Sequence, residues 1–265
     1  MTLQQIKSFA RLFYNLLKKD VYVYFRNNYI GDLIDNIIWT SSFIFIANYI
    51  LPQLGLSASY GAFFAISMIV SVAFWDTWNT TTQFISDLDG NRVIEYYLTL
   101  PLPATLYFIK QICSFAVRAG ALSLGIIPVA KIILWNQLSF SQVMFFNTII
   151  IFIASVFFCA TMSLMMASMV KNISHLGHVG IRVLFPMFSW GGTQYSWFTI
   201  LGLSPWFAYI SLINPLLYAT EGMHAAMLGQ SGYLPFWICV MMVLIFTFVF
   251  GWVSISRMKK RLDCV

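Results

Sequence analysis

Long apolar stretches separated by short polar segments dominate the pattern of residues along this chain. Each stretch holds about the 20 residues that an α-helix needs to cross a bilayer. Six such stretches lie near 30–51, 60–86, 105–133, 141–169, 178–200 and 234–256. The pattern therefore predicts an all-α integral membrane protein with six transmembrane helices. No internal repeat is evident, so we expect a single domain over residues 1–265.

The first 28 residues have a different, amphipathic pattern. Ile6, Phe9 and Phe13 recur at helical spacing, and Lys7 and Arg11 lie between them. This pattern predicts a helix over 1–28 that lies in the membrane interface and extends its basic side chains into the headgroups. The alternative is a cytoplasmic helix packed on its own protein. The extreme N-terminus is too polar for the apolar core of a cleavable signal peptide.

Composition excludes an ordinary soluble domain. Hydrophobic residues make up 60% of the 265 residues and charged residues only 9%, whereas a soluble domain carries about 25% charged residues. The net charge is +6, but the basic residues flank the apolar stretches, which indicates membrane topology and anionic lipid rather than nucleic acid. The four cysteines have no spacing typical of a metal site.

The distribution of Lys and Arg predicts the orientation of the chain. Basic residues occur before the first stretch, between the second and third, between the fourth and fifth, and after the last. The alternate connections are nearly free of them. Because basic residues are enriched on the cytoplasmic side, we expect both termini to lie in the cytoplasm.

Two connections are longer than the rest. The cytoplasmic segment 87–103 holds a predicted short helix near Arg92 to Tyr97, which ends before Pro101 and Pro103. The outer segment 190–233 is apolar but interrupted by glycine and proline. Its pieces near 204–213 and 215–228 are too short to span, so we expect a re-entrant hairpin of two half-helices.

The order of these features resembles the permease subunit of ABC-2 type ABC exporters, also described as type V exporter-like. The layout is a surface helix, six spans and an outer hairpin before the last span. The stretch Glu95-Tyr96-Tyr97-Leu98-Thr99-Leu100-Pro101-Leu102-Pro103 is similar to the link between the second and third spans of that family. The stretch Asn214-Pro215-Leu216-Leu217-Tyr218-Ala219-Thr220-Glu221-Gly222-Met223 is similar to its outer hairpin.

The resemblance implies partners for this chain. It implies two copies of an ATP-binding subunit and a second copy of the chain itself, within a bacterial cytoplasmic (inner) membrane. The chain lacks a Gly-x-x-x-x-Gly-Lys-Ser/Thr stretch, so we expect no cofactor in it, with ATP and Mg bound by the partner ATPase. The residues implied to transmit motion from that partner are Asp87, Asp89, Arg92, Glu95, Tyr96 and Leu98. The alternative for each is an ordinary solvated loop position.

Of the charged residues within the predicted spans, four are candidates, because charge is costly there and often functional. Asp32 and Asp35 are three apart and so share a helix face. The alternative to a functional role is that they sit at the inner interface and face water or Arg26. Asp76 of the second span either faces the translocation path or pairs with Arg118 of the third span, and the pair is our hypothesis.

The outer hairpin contributes Asn214, Pro215 and Glu221 as candidates, all from the stretch that carries the resemblance. Glu221 and His224 are three apart, which fits a hydrogen bond on the helix surface or a proton relay.

The functional prediction is an exporter permease that forms the translocation path for an amphipathic, lipid-linked or drug-like substrate. It is not itself an enzyme, because a separate ATPase would drive it. A secondary transporter is the first alternative, although it predicts repeats and polar groups at the bilayer midplane. A polytopic membrane enzyme is the second, and it requires convergent polar groups near one interface.

Overall fold

The computed structural model describes residues 3–57, 59–90, 93–135 and 143–262, with side chains from residue 7 onward. Within these ranges the chain is helical and contains no β-strand. The α-helices are α1 Leu3–Asn27, α2 Tyr29–Phe45, α3 Tyr60–Asp89, α4 Val93–Leu98, α5 Ala104–Ile133, α6 Phe145–Met169, α7 Leu176–Val179, α8 Phe185–Ser189, α9 Trp197–Leu203, α10 Pro205–Ser211, α11 Pro215–Leu228 and α12 Phe236–Leu262.

Five helical segments of the described chain are long and apolar enough to cross a membrane. The first is α2 together with a π-helical turn, Ile46–Ile50, and a 3₁₀ turn, Leu51–Leu54, after which Gly55 adopts a left-handed φ of 100°. The other four are α3, α5, α6 and α12. Their bounds agree with the predicted first, second, third, fourth and last stretches to within about six residues, as expected for helix ends.

The predicted fifth span over 178–200 was wrong as a single helix. A 3₁₀ turn Ile173–His175, α7, a π-helical turn Gly180–Leu184 and α8 follow one another, but the helix ends at Ser189. Gly191 and Gly192 then turn the chain, and Gly192 has a φ of 69°. The continuous helical run 173–189 lies at the lower limit of the roughly 17–25 residues of a span, so the count of six spans stays a prediction. Apolar composition alone extended the prediction through this glycine turn.

The segment 190–233 folds into three short helices. The predicted pieces near 204–213 and 215–228 correspond to α10 and α11. The additional helix α9 was not predicted, and the Ser196 side chain caps its N-terminus by accepting from Thr199 N. Whether the hairpin is re-entrant in a membrane stays a prediction.

Helix α11 lies at the centre of the protein. Every residue from Pro215 to Met227 is buried, and the helix packs against α12, α6 and α3. A Cβ atom on Gly222 would lie 2.8 Å from Ile151 Cδ1 and 3.0 Å from Cys239 Cβ. Only glycine therefore allows α6 and α12 to approach α11 this closely.

The long helices define two ends of the bundle. At the coupling end, which we define by Asp89, α4, Ile173 and Arg261, the guanidinium of Arg261 donates to the carbonyl oxygens of Ala167, Val170 and Lys171. At the hairpin end, which we define by residues 51–57, α9 to α11 and the start of α12, Tyr60 Oη donates to Gln194 O at 3.0 Å.

Candidate functional site

The short helix α4 lies at the coupling end between α3 and α5. Asp87 caps its N-terminus, because its two carboxylate oxygens accept from Val93 N at 3.2 Å and Ile94 N at 3.0 Å. These are backbone donors that a helix start leaves without intrahelical partners. Ile94 is buried, whereas Tyr96 is 66% exposed. The cap and the buried isoleucine hold the helix while its outer face stays open.

The other predicted coupling residues have distinct surroundings. Asp89 Oδ2 accepts from Ile173 N at 3.0 Å, which ties the end of α3 to the segment after α6. Glu95 and Leu98 are half-buried in α4. Arg92 lies outside the described residues. A role of these residues in coupling stays a prediction.

Helix α1 is attached to this end through two contacts that the sequence analysis missed. Lys19 Nζ donates to Tyr97 Oη of α4 and lies 4.9 Å from the centre of its ring; this hydrogen bond raises the pKa of Lys19. Asp20 pairs with Lys110 of α5 at 2.5 Å, and Lys110 is 1% exposed. Because both pairs join residues far apart in the chain, no local pattern pointed to them.

A buried network of charges surrounds Arg118. Its Nε lies 3.0 Å from Asp76 Oδ1 and its Nη2 lies 3.2 Å from Asp32 Oδ2. Its Nη1 donates to Gln83 Oε1 at 2.7 Å, and its guanidinium lies 4.8 Å from the centre of the Tyr24 ring. One side chain of α5 therefore contacts α1, α2 and α3.

These contacts test the predicted pairing but not its function. The hypothesised Asp76–Arg118 pair is present in the structure. Asp32 and Asp35 do not share one environment, because Asp32 reaches Arg118 rather than Arg26, and Asp35 is exposed. The 60° offset between positions three apart is enough to place one side chain inward and the other outward. Any part of the four residues in transport stays a prediction.

A cavity of about 570 Å³ opens beside this network, between α2, α3 and the α7–α8 region. Aromatic rings dominate its lining, and two amides, Asn36 and Asn79, supply the polar groups. The indole Nε1 of Trp75 is buried without a hydrogen-bond partner among the described residues. A Cβ atom on Gly180 would lie 2.2 Å from Trp78 Cζ3. The aromatic residues of the lining are Trp39, Trp75, Trp78 and Phe185.

Comparison with known families matches this architecture over most of its length. A family model described as ABC-2 type transporter matches residues 11–228, which include the network, α4 and α11. The chain belongs to the ABC-2 type transporter family. It is thus the membrane permease component of an ABC transporter and not itself the catalytic component. A comparison with curated proteins finds no match.

In this ABC-2 permease Glu221 holds the hairpin together. The carboxylate is fully buried in α11 and accepts from Trp197 N at 2.8 Å, at the start of α9, and from Leu234 N at 3.0 Å, just before α12. Burial raises the pKa of Glu221 to about 7, and the two N–H donors act in the opposite direction. Asn214 caps α11 by accepting from Leu216 N, and Pro215 occupies its first turn.

His224 lies one turn further along α11 and does not contact the Glu221 carboxylate in the described structure. Its Nε2 lies 2.9 Å from Ser67 Oγ and 3.1 Å from Phe63 O, and its ring stacks on Phe63 with centroids 4.0 Å apart. Glu221 therefore contacts the start of α9 and the segment before α12, whereas His224 contacts α3. Among the described residues no group of three or more His, Cys, Asp or Glu is placed to hold a metal ion.

Proposed function

We propose that this chain is half of an ATP-driven exporter, in which two copies pair with two copies of a separate ATP-binding subunit. ATP and Mg are bound by that partner. The complex lies in the bacterial cytoplasmic membrane, with both termini and the coupling end in the cytoplasm. The observation that supports this most directly is α4, a short helix with an open outer face that is held between two spans.

The contacts of α4 suit the transmission of a movement of the ATPase to the membrane helices. Asp87 fixes its start to α3, and Tyr97 joins it to Lys19 of α1. A displacement of α4 would therefore move α1 and α3 together. Helix α1 continues this link, because Tyr24 lies over Arg118 at the centre of the buried network. The exposed Tyr96 is available to the partner.

Exposed polar groups on the spans support pairing with a second copy. Asp35 of α2 and both Asn79 and Gln83 of α3 are exposed in the single chain. Such groups are costly against lipid and face a protein partner or a water-filled cavity instead. Asn79 also lines the cavity of about 570 Å³, together with Asn36. A second copy against this face would enclose a path between the two chains.

The lining of that cavity supports an amphipathic cargo. Three tryptophans and one phenylalanine offer apolar surface, and hydrogen bonds come from two amides and the buried indole Nε1 of Trp75. Pockets of this kind bind mostly apolar molecules and orient them through a few polar groups. A lipid-linked or drug-like compound fits this chemistry better than a small ion does.

Photo-crosslinking at the coupling end tests the proposal. A photoreactive amino acid replaces Tyr96 in one variant and Tyr209, which is exposed at the hairpin end, in a matched variant. We expect the crosslinker at position 96 to capture one soluble ATPase from the native membrane, and the crosslinker at position 209 to capture none. The purified chain should bring the same ATPase with it. If the chain is isolated alone in several detergents and neither variant is crosslinked, the proposal is wrong.

A further inference from the structure

A second cavity, of about 510 Å³, lies at the hairpin end. Three parts of the chain that are distant in sequence form it. They are residues 56–57 with 59–63, the turn from Gln194 to Thr199, and the loop from Ser231 to Tyr233. Its size falls within the range of small-molecule sites. The coupling contacts and the tryptophan-lined cavity do not use any of these residues.

One wall of this cavity, the aromatic wall, consists of nearly parallel rings. Phe63 lies at its centre, with the Tyr60 ring 5.9 Å away at an angle of 23° and the Tyr233 ring 6.4 Å away at an angle of 14°. Parallel rings offer flat apolar faces on which another flat or ring-shaped apolar surface can stack. The C–H face of a sugar ring is such a surface.

The remaining walls are polar but uncharged. The described lining contains no Asp, Glu, Lys, Arg or His. Hydroxyl groups both donate and accept hydrogen bonds, and an amide does the same through separate atoms. The Gln194 side chain is exposed at this site. The hydroxyl and amide side chains of these walls are Ser57, Ser59, Gln194, Ser196, Thr199 and Ser231.

The walls of the cavity are held in place from behind. His224 stacks on Phe63 and on Tyr233, with ring centroids 4.0 Å and 5.3 Å away. Glu221 fixes the segments on both sides through Trp197 N and Leu234 N. A site that is rigid before it binds loses less free energy on ordering.

We propose that this cavity binds an uncharged sugar ring, with the C–H face of the ring on the aromatic wall and its hydroxyls on the polar walls. A phosphate or carboxylate would find no opposite charge in the lining. The hydroxyls pair as Ser57–Ser59 and Ser196–Thr199, and a lipid chain could not use the hydrogen-bonding capacity that they retain beyond these pairs. This inference rests on the proposed export function, because it makes a sugar part of the cargo. The ring can belong to a glycolipid headgroup or to a free saccharide.

Binding of defined sugars to the full chain tests the inference. The protein is placed in phosphatidylcholine nanodiscs after purification without sugar-headed detergents. Saturation-transfer NMR then measures binding of maltose, lactose and N-acetylglucosamine, with glucose 6-phosphate as the charged comparison. A separate titration uses nanodiscs that contain a glucosyl diacylglycerol. We expect at least one neutral sugar to bind and the phosphorylated sugar not to bind.

Two variants act on the cavity in different ways. Tyr233→Ala removes part of the aromatic wall, and Ser231→Trp fills the opening from an exposed position. Each should weaken sugar binding by at least about tenfold, as expected for the loss of an aromatic contact or of access. Tyr209→Ala, an exposed tyrosine outside the cavity, is the matched control and should bind as the unaltered chain does.

The outcomes separate this inference from the proposed function. Tighter binding of the glucosyl lipid than of free sugars assigns the site to a headgroup, and equal binding assigns it to a free saccharide. No binding of any neutral sugar or of the glucosyl lipid, binding that both variants retain, or equal binding of glucose 6-phosphate would overturn the inference. Capture of an ATPase from position 96 is measured independently, so either proposal can fail alone.

Discussion

The Nε atom of Arg118 lies 3.0 Å from Oδ1 of Asp76, and both side chains are buried between α5 and α3. Oδ2 of Asp32 of α2 contacts the same guanidinium from a third helix, 3.2 Å from Nη2. An arginine between two carboxylates at this depth is stable only while its partners stay in place, because each buried charge has given up its hydration. The same residues connect α1 with the spans.

We expect Asp76→Leu and Arg118→Met to destabilise the protein strongly when made singly. Arg118→Met leaves the buried Asp76 carboxylate without a cation, which costs about 3–5 kcal/mol in comparable cases. Asp76→Leu leaves Arg118 with Asp32 as its remaining carboxylate. The double variant should be less damaging than the sum of the two, since the residues are in direct contact. Thermal unfolding in identical nanodiscs measures all three, with the exposed Arg182→Met as a control. Additive losses would show that the pair does not interact energetically.

Loss of the cap on α4 should reduce coupling without unfolding the bundle. Asp87→Ala removes the acceptor of two backbone N–H groups, which costs about 1 kcal/mol for a helix cap. We expect weaker ATPase binding and less transport-stimulated ATP hydrolysis by the complex. Ser86→Ala changes the exposed neighbouring residue and should behave as the unaltered chain does. Equal effects of the two substitutions would count against a capping role for Asp87.

Two glycines of the tryptophan-lined cavity provide a matched test of the translocation path. A methyl group at Gly180 would lie 2.2 Å from Trp78 Cζ3, whereas nothing lies within 4 Å of one at Gly177. Gly180→Ala should therefore displace Trp78 and lower transport of an amphipathic cargo. Gly177→Ala should leave transport nearly unchanged. Transport into inverted vesicles measures both. Unchanged transport by Gly180→Ala would show that the cavity is not part of the translocation path.

Stability should fall as pH rises across the titration range of Glu221. The pKa of its carboxyl rises from 4.5 to about 7 in the folded chain because burial opposes its charge. The fold therefore holds the proton more tightly than the unfolded chain does, so this stabilising contribution is complete below pH 4.5 and is lost as pH rises to about 7. Unfolding temperature measured from pH 4.5 to 8 checks this.

Glu221→Gln provides the control for that pH dependence. Glutamine cannot titrate, so the slope between pH 4.5 and 7 should flatten. Its amide can accept from only one of the two N–H donors, and the unpaired donor costs about 1–3 kcal/mol. A Glu221→Gln profile parallel to that of the unaltered chain would contradict the assignment.

Hydropathy predicted the long helices well because a bilayer requires about 20 apolar residues whatever their neighbours are. The predicted stretches near 60–86 and 105–133 differ from α3 and α5 by at most three residues. Two of the three hairpin helices, α10 and α11, also followed from sequence, since Pro215 marks the start of α11. The fifth predicted stretch is not one helix, because apolar composition does not indicate the turn at Gly191 and Gly192.

Only part of the candidate site could be predicted from the sequence in this way. Asp76 and Arg118 were recognisable from sequence as charges in apolar surroundings. The hypothesis that they pair rested only on their opposite charges. Lys19 and Tyr97 are separated by 78 residues, and Asp20 and Lys110 by 90. Each of these residues has an ordinary place in its own segment, so nothing local indicated the contacts that attach α1 to the coupling end.

The sequence by itself determined the membrane class, the bounds of five long helices, the amphipathic first helix and the likeness to ABC-2 permeases, because these depend on local composition and order. Tertiary structure alone decided which polar groups meet. Helix packing brings Asp32, Asp76 and Arg118 together and turns Asp35 outward, and it joins three distant segments into the cavity beside Phe63. The physical reason is that a side-chain contact requires two backbones to approach, and that approach is set by the packing of the whole bundle.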